Sequence, residues 1–426
     1  MATEAPPAPP APAGPGYRAL ARNSAVAAGA NIANGLLSAA ILALCAAFGQ
    51  TGEIAAYTVV TSALAFVLIA VGGGSALLYL NGTEEQRTLV RSQWVLVVLP
   101  ALILGAVAVA AFYDRRGYSL SALAAAGVVV LGNGLAQLQI ADFTRRMRFV
   151  SSALLMCGSK AASLVMVLSG VPLTAALGAA GLAQLVAGEI VLGREGSLRQ
   201  VRRPSVRQAV AAYRSGRNLF GFAVGDLYVA RFGTVVLSLL APPAVMGSFG
   251  AVVTAYQAIG GVLQSALQVP MIARARSRLG IERANHPAAF SVAVALACAL
   301  PMAAGVAALS PFLTRTLLSL PHPQAPAWLA LFMLALPFMA VTRALMFNWI
   351  GDGHYRWATN AVAVLAAVLT VTVALGVPRF GALGAAAATA AAEALTAAAI
   401  LVFAGRAAGL RRRGSHNSTD TDTMRP

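Results

Sequence analysis

Twelve stretches of about twenty or more mostly apolar residues, parted by short polar or basic breaks, dominate this sequence. A run of that length wound as an α-helix crosses the roughly 30 Å hydrocarbon layer of a bilayer. Within that layer every backbone N–H and C=O must be satisfied inside the segment, so helix is the form such runs take. The runs are 23–48, 54–81, 94–113, 119–141, 149–171 and 173–192, then, after a basic stretch, 218–241, 245–273, 287–312, 326–350, 357–377 and 380–405. The pattern predicts an all-α polytopic membrane protein with about 12 transmembrane helices, six and six. With 58% apolar and 11% charged residues, an ordinary soluble enzyme is excluded.

The surplus of 31 basic over 14 acidic residues sits in clusters between the runs, where it reads as topology and not as a nucleic-acid surface. Cytoplasmic termini place 24 basic residues in inner segments and 4 in outer loops, namely Arg115, Arg116, Arg315 and Arg379. That asymmetry predicts both termini inside and an even number of spans. The expected organisation is a disordered tail over 1–17, an N-lobe over 18–193, a basic cytoplasmic linker over 194–216, a C-lobe over 217–406 and a cytoplasmic tail over 407–426. The apolar run after Arg22 exceeds a 7–15-residue signal core, so the first span is read as uncleaved. An alanine-rich, lysine-poor composition fits a high-GC bacterium, hence its inner (plasma) membrane.

Sliding the sequence by 195 positions lays Arg22 on Arg217, Asn31 on Asp226 and Gly52 on Gly247. Together with the six-plus-six division, this argues for two parallel repeats with a substrate path between them.

No phosphate loop, nucleophile elbow or metal-ligand cluster is present, so neither an enzyme nor a cofactor is predicted. Cys45, Cys157 and Cys298 fall inside apolar runs, and His286, His322, His354 and His416 are isolated. Transport by this chain would draw on a gradient, a partner or product removal. Ionisable groups within spans mark pathways by default. They are Lys160, Glu189, Asp226, Arg231, Arg343 and Glu393. Asp226 and Arg231 lie five residues apart, about 140° around a helix, which argues against a direct pair. The competing reading of Asp226 is a buried acid holding a neighbouring helix, and that of Glu189 and Arg343 side chains snorkelling to a boundary. Arg22 and Arg217, at matching helix mouths, are either positive-inside anchors or a clamp for a phosphate or pyrophosphate headgroup. Lys160 and Arg231, with Arg343, are candidate deeper cationic steps, and Asn31 joins the headgroup set by its repeat position.

Residues Arg217-Asn218 through Asp226, Gly247-Ser-Phe-Gly250, Ala255-Tyr256-Gln257-Ala258, Val269-Pro270 and Pro378-Arg-Phe-Gly381-Ala-Leu-Gly384-Ala-Ala carry a resemblance. In that order they resemble spans seven, eight and twelve of the polysaccharide exporters and O-antigen-type flippases. These belong to the multidrug/oligosaccharidyl-lipid/polysaccharide (MOP) exporter superfamily. The resemblance implies a V-shaped pair of six-helix bundles that flips a polyprenyl-pyrophosphate-linked glycan from inner to outer leaflet by alternating access. It also implies a cationic cavity, with Arg22, Arg217, Arg231, Lys160 and Asn31 as headgroup contacts and Asp226, Glu393 and Arg343 as ion-coupling or gating residues. The implied partners are the bilayer, the polyprenyl-linked glycan and the glycosyltransferases or polymerase of its pathway, with the chain monomeric. Two readings compete: a cation-coupled multidrug exporter using Asp226 or Glu393, and a non-transporting component of a glycan-assembly complex.

Overall fold

The computed structural model describes residues 17–72, 75, 78–79, 83–146, 148–193, 204–278 and 288–419. Its helices are α1 (Tyr17–Ala47), α2 (Thr51–Gly72), α3 (Glu84–Asp114), α4 (Leu120–Arg145), α5 (Phe149–Leu168) and α6 (Leu173–Leu192). The second half continues with α7 (Val206–Leu240), α8 (Pro243–Arg278), α9 (Ala288–Ala308) and α10 (Ala325–Gly351), then α11 (355–380) and α12 (382–419). Among the described residues ten helices are long and apolar enough to cross a membrane unaided. One of those ten, Tyr355–Phe403, is divided into two arms at Gly381, and α7 carries a shorter apolar part, Tyr228–Leu240. The described helices thus number twelve, as expected, although the apolar part of α7 falls short of a full span.

The division between α11 and α12 rests on Gly381, whose φ of 56° and ψ of −129° lie where a Cβ is strained. Pro378, just before it, has no N–H to extend the helix. The arms then run back along each other. Thr372 Oγ1 donates to the Ala388 carbonyl at 3.3 Å, and a Cβ on Gly384 would overlap the Gly376 carbonyl.

Three boundaries differ from the sequence reading by ten residues or more. Helix α3 begins ten residues before the expected Trp94, at a capping box in which Thr83 Oγ1 accepts from the Gln86 amide and Gln86 Oε1 accepts from the Thr83 amide. Its polar first turns are invisible to hydropathy, yet they carry two buried arginines. Arg91 Nε donates to the Tyr79 hydroxyl at 3.1 Å, and that hydroxyl donates onward to the Asp142 carboxylate at 3.1 Å. Arg87 Nε donates to the Tyr79 carbonyl, and Glu84 pairs with both arginines at 2.8 and 3.2 Å. Asp142, fully buried, thus ties the end of α4 to the start of α3. Helix α7 starts inside the expected linker, at Val206, and α12 stays helical to Thr419, into the expected tail. Residues 1–16, 194–203 and 420–426 lie outside the described residues.

Two π-turns, Trp94–Val98 and Phe312–Leu317, sit beside Pro100 and Pro311. A proline removes one i→i−4 bond, and a wider turn absorbs the loss. The first turn also seats buried Trp94, whose Nε1 donates to Ser75 Oγ, in the space left by Gly134.

The two halves have matching internal contacts. α1 meets α5, α2 meets α4, α3 meets α4 and α4 meets α6; six helices later α7 meets the α11–α12 pair, α8 meets α10, α9 meets α10 and α10 meets the α11–α12 pair. The halves join through α1–α8, α2–α8, α2–α7 and α3–α7. At α2–α8 the helices pack closely, with Gly247 on the Thr51 carbonyl and Gly250 on the Thr58 side chain and no room for a Cβ at either. Along α3–α7 one end is held by Ser92 Oγ donating to Gln208 Oε1 at 2.8 Å. The other end is held by Tyr113 and Ser238 hydroxyls 2.7 Å apart. Arg116 Nη1 donates to the Leu239 carbonyl at 2.8 Å and stacks on Phe112, so this exception to the charge asymmetry serves the seam between halves. In the same loop burial, and after it the Tyr113 hydroxyl, push the Tyr118 phenol up to about 12 against the opposing pull of Arg116.

Candidate functional site: a charged cavity and an apolar groove on either side of α8

Helix α8 carries polar side chains on one side of an otherwise apolar run. Tyr256, Gln257, Gly260, Gly261 and Gln264 recur at intervals of three to four residues and so share one face. That face closes a cavity of about 210 Å³ with α7, α10 and α12. The wall opposite supplies Arg231 from α7, Arg343 from α10, and Glu393 and Thr389 from α12. Arg343 is 3% exposed and Glu393 1%, so neither charge reaches bulk solvent or a boundary. Arg231 is half-buried and within electrostatic reach of Tyr57, on α2 of the first half. The cavity belongs to the second half, but its arginine wall faces the seam. Gln257 Nε2 donates to the Ala230 carbonyl at 3.3 Å, and the Tyr256 ring stacks on Phe332 at 4.8 Å while its hydroxyl donates to Met339 Sδ. These contacts fix both side chains on the cavity wall.

On the other side of α8, Ala255, Ala258, Ile259 and Val262 help line an apolar groove of about 260 Å³. Ile32, Gly35 and Leu36 of α1 form its opposite wall, and the π-turn residues Leu313 and Leu317 its end. A Cβ on Gly35 would stand 3.3 Å from that of Ala258, so the groove lies where α1 of one half meets α8 of the other. Ile32 and Leu36 are exposed along it.

The structure gathers three of the ionisable residues singled out from the sequence, Arg231, Arg343 and Glu393, into one cavity. It crosses the division made there, which grouped Arg231 with the headgroup and the other two with coupling. Arg343 does not snorkel, because α10 is buried on all sides at that level. Asn31 sits apart, half-buried on α1, one residue from groove-lining Ile32. Lys160 is half-buried on α5, a helix that touches α1 through Cys157 Sγ and the Ala30 carbonyl at 3.6 Å. Neither reaches the charged cavity. Arg22, Arg217 and Asp226 lie on the described helices α1 and α7, and their side chains fall outside the described residues. Glu189 is anchored inside the first half, accepting from Gln139 Nε2 at 3.0 Å.

Sequence reasoning missed Gln257, Gln264, Thr389 and Tyr57. The polar periodicity along α8 was a usable signal for the first two; Tyr57 comes from a non-adjacent helix and has none. A second missed relation is a repeat offset of 204: Gln139 corresponds to Arg343 and Glu189 to Glu393, in both cases on the fourth and sixth helices of their half.

No protein-family model matches this chain, and no curated protein sequence does. Solved structures do. The lipid II flippase MurJ, in an inward closed conformation, superposes with a TM-score of 0.68 at 14% identity, over 88% of this chain and 86% of that one. The MATE multidrug transporter DinF-BH, solved in complex with a bound compound, gives 0.65 at 12% identity over 92% and 95%. The eukaryotic MATE transporter AtDTX14 gives 0.58 at 15% identity over 91% and 96%. At such identities the likeness concerns the fold, which is all-helical like that of these transporters.

Proposed function

We propose that this chain is a multi-pass membrane transporter that flips a lipid-linked oligosaccharide, a polyprenyl-pyrophosphate glycan, from the inner to the outer leaflet by alternating opening of the seam between its halves. The observation that carries this reading is the two-sided character of α8, with an apolar groove on one side and a charged, amide-lined cavity on the other. A polar glycan cannot enter hydrocarbon without satisfied hydrogen bonds, whereas its polyprenyl tail has no reason to leave it. A protein that moves such a molecule needs both kinds of surface within reach of one seam. The fold shared with a lipid II flippase supports the same class of substrate. Under this reading Arg22 and Arg217 hold the pyrophosphate, Lys160 and Asn31 lie on its route, and Asp226 serves coupling. The termini are cytoplasmic, the membrane is a bacterial inner membrane, and the partners are the enzymes that build and polymerise the glycan.

The second reading, cation-coupled multidrug export, is favoured by the likeness to a MATE multidrug transporter solved with a compound bound. Against it stands the described lining of the cavity, in which guanidinium groups outnumber carboxylates two to one, a composition that disfavours an organic cation. Reconstitution decides between them. In liposomes containing the purified chain, a fluorescent polyprenyl-pyrophosphate glycan should become accessible on the far leaflet, and Arg22→Ala with Arg217→Ala should slow this at least about tenfold, the loss of about 1.4 kcal/mol or more of headgroup binding. Glycolipid movement no faster than in protein-free vesicles, with uptake of a fluorescent organic cation, overturns the proposal in favour of the second reading.

A further inference from the structure

The stretch expected to be a linker, 194–216, ends in helix, and its charge is one-sided: from 196 to 225 the sequence has six arginines and no acidic residue. Helix α7 has 35 residues and rises about 52 Å. A bilayer measures roughly 30 Å across its hydrocarbon and about 40–45 Å with its headgroup layers. Leu239, near the far end of α7, meets Arg116 of the loop between α3 and α4 and so stands at one surface of the bundle. The first turns, Val206 to Gly216, therefore lie at the headgroup level of the opposite leaflet.

The rotation of these turns is fixed by the first half. Ala209, Ala212 and Gly216 are buried, and Gln208 Oε1 accepts from Ser92 Oγ on α3 at 2.8 Å. The exposed side carries Val206, Val210 and Tyr213, which are 72, 46 and 43% exposed and lie within about 60° of one another around the helix. Arg207 and Arg214, both exposed, lie on one line of the helix surface beside that stripe. Neither has a carboxylate partner among the described residues, and Glu84, at the start of α3, is engaged by Arg87 and Arg91. An apolar stripe bordered by arginines at headgroup depth is the pattern of a helix that rests in the membrane interface.

We infer that this face of α7 docks on anionic phospholipid headgroups. Val206, Val210 and Tyr213 dip toward the acyl boundary, while the Arg207 and Arg214 guanidinium groups extend to lipid phosphates. A zwitterionic headgroup sets its own ammonium beside its phosphate, so a run of arginines without acids selects lipid of net negative charge. The segment held in this way is the one whose other side closes the seam at Ser92 and Gln208. The inference holds whatever the transported molecule is.

The test uses the full chain in nanodiscs. With Cys157→Ser and Cys298→Ser, and Cys45 buried, a polarity-sensitive dye on Val210→Cys reports where the face lies. Spin labels carried on lipid headgroups should quench the dye, and aqueous iodide should not. Quenching by iodide alone puts the face in water, and quenching by neither means that another part of this chain covers it; each overturns the inference. The lipid class is read from the thermal midpoint. Replacing part of the phosphatidylcholine by phosphatidylglycerol should raise it, and less so at high salt, which screens exposed charges. Arg207→Gln with Arg214→Gln should lose most of that rise, with the midpoint in pure phosphatidylcholine unchanged. Arg115→Gln with Arg379→Gln removes the same charge from the opposite end of the bundle and should keep the rise. No rise, a rise that survives in the first pair, or one lost equally in both pairs overturns docking on anionic lipid. None of these readouts involves glycolipid movement, so failure here and failure of the flippase reading are told apart.

Discussion

In the first half Gln139 on α4 reaches Glu189 on α6 through a neutral amide, whereas 204 positions later, on α10 and α12, stand Arg343 and Glu393. The small residue beneath the pair differs as well. Gly188 lies so close to Gln139 that a Cβ there would collide with the amide, and its counterpart 204 positions on is the buried Ala392. Ala392 thus adds a methyl group at the place where, in the first half, Gln139 lies on bare Gly188. One half has closed its fourth-to-sixth helix contact with a hydrogen bond; the other has put a charge there and kept a cavity. The same scaffold position serves as a clasp in one repeat and lines a cavity in the other.

That contrast can be broken by mutation. The largest effect is expected from Arg343→Met. Removing one member of a buried charge group costs about 3–5 kcal/mol, and the loss should appear as a sharply lowered thermal midpoint in nanodiscs. A variant as stable as the parent would show that the two charges do not depend on each other. Gln139→Met in the first half deletes only a neutral donor and strands one carboxylate oxygen, for about 1–3 kcal/mol by the same measurement. Equal losses at 139 and 343 would erase the distinction between the two halves. The smallest change belongs to Glu189→Gln, in which an amide oxygen replaces the carboxylate oxygen that Gln139 bonds; a shift below about 1 kcal/mol is expected. A larger one would mean that Glu189 is needed as an anion.

Much of the architecture was legible because a bilayer leaves the backbone few choices. Apolar length gave twelve traverses, and Pro378 with Gly381 marked the hairpin between the last two. The start of α3 was not legible, since Glu84–Gln93 is a polar helix whose buried face consists largely of Arg87, Val90 and Arg91, the opposite of what hydropathy seeks. The ionisable residues Arg231, Arg343 and Glu393 could be picked out one by one as charges inside apolar runs. Their convergence could not, because periodicity within a helix says nothing about which helices are neighbours. The repeat offset of 195, read from the first two spans, also hid the correspondence at 204; the second half is nine residues longer between its second and fourth helices. Nor does matching sequence guarantee matching use: Gly247 is pressed on Thr51, while its partner Gly52 has open space around it.

Helix α8 is a partition between an oily room and a wet one, with Ala258 and Ile259 facing the first and Gln257 and Gly260 the second. A partition cannot be tilted on one side only. Any displacement that reshapes one room redraws the other, and occupants of the two must then change each other's affinity by the same factor, in both directions.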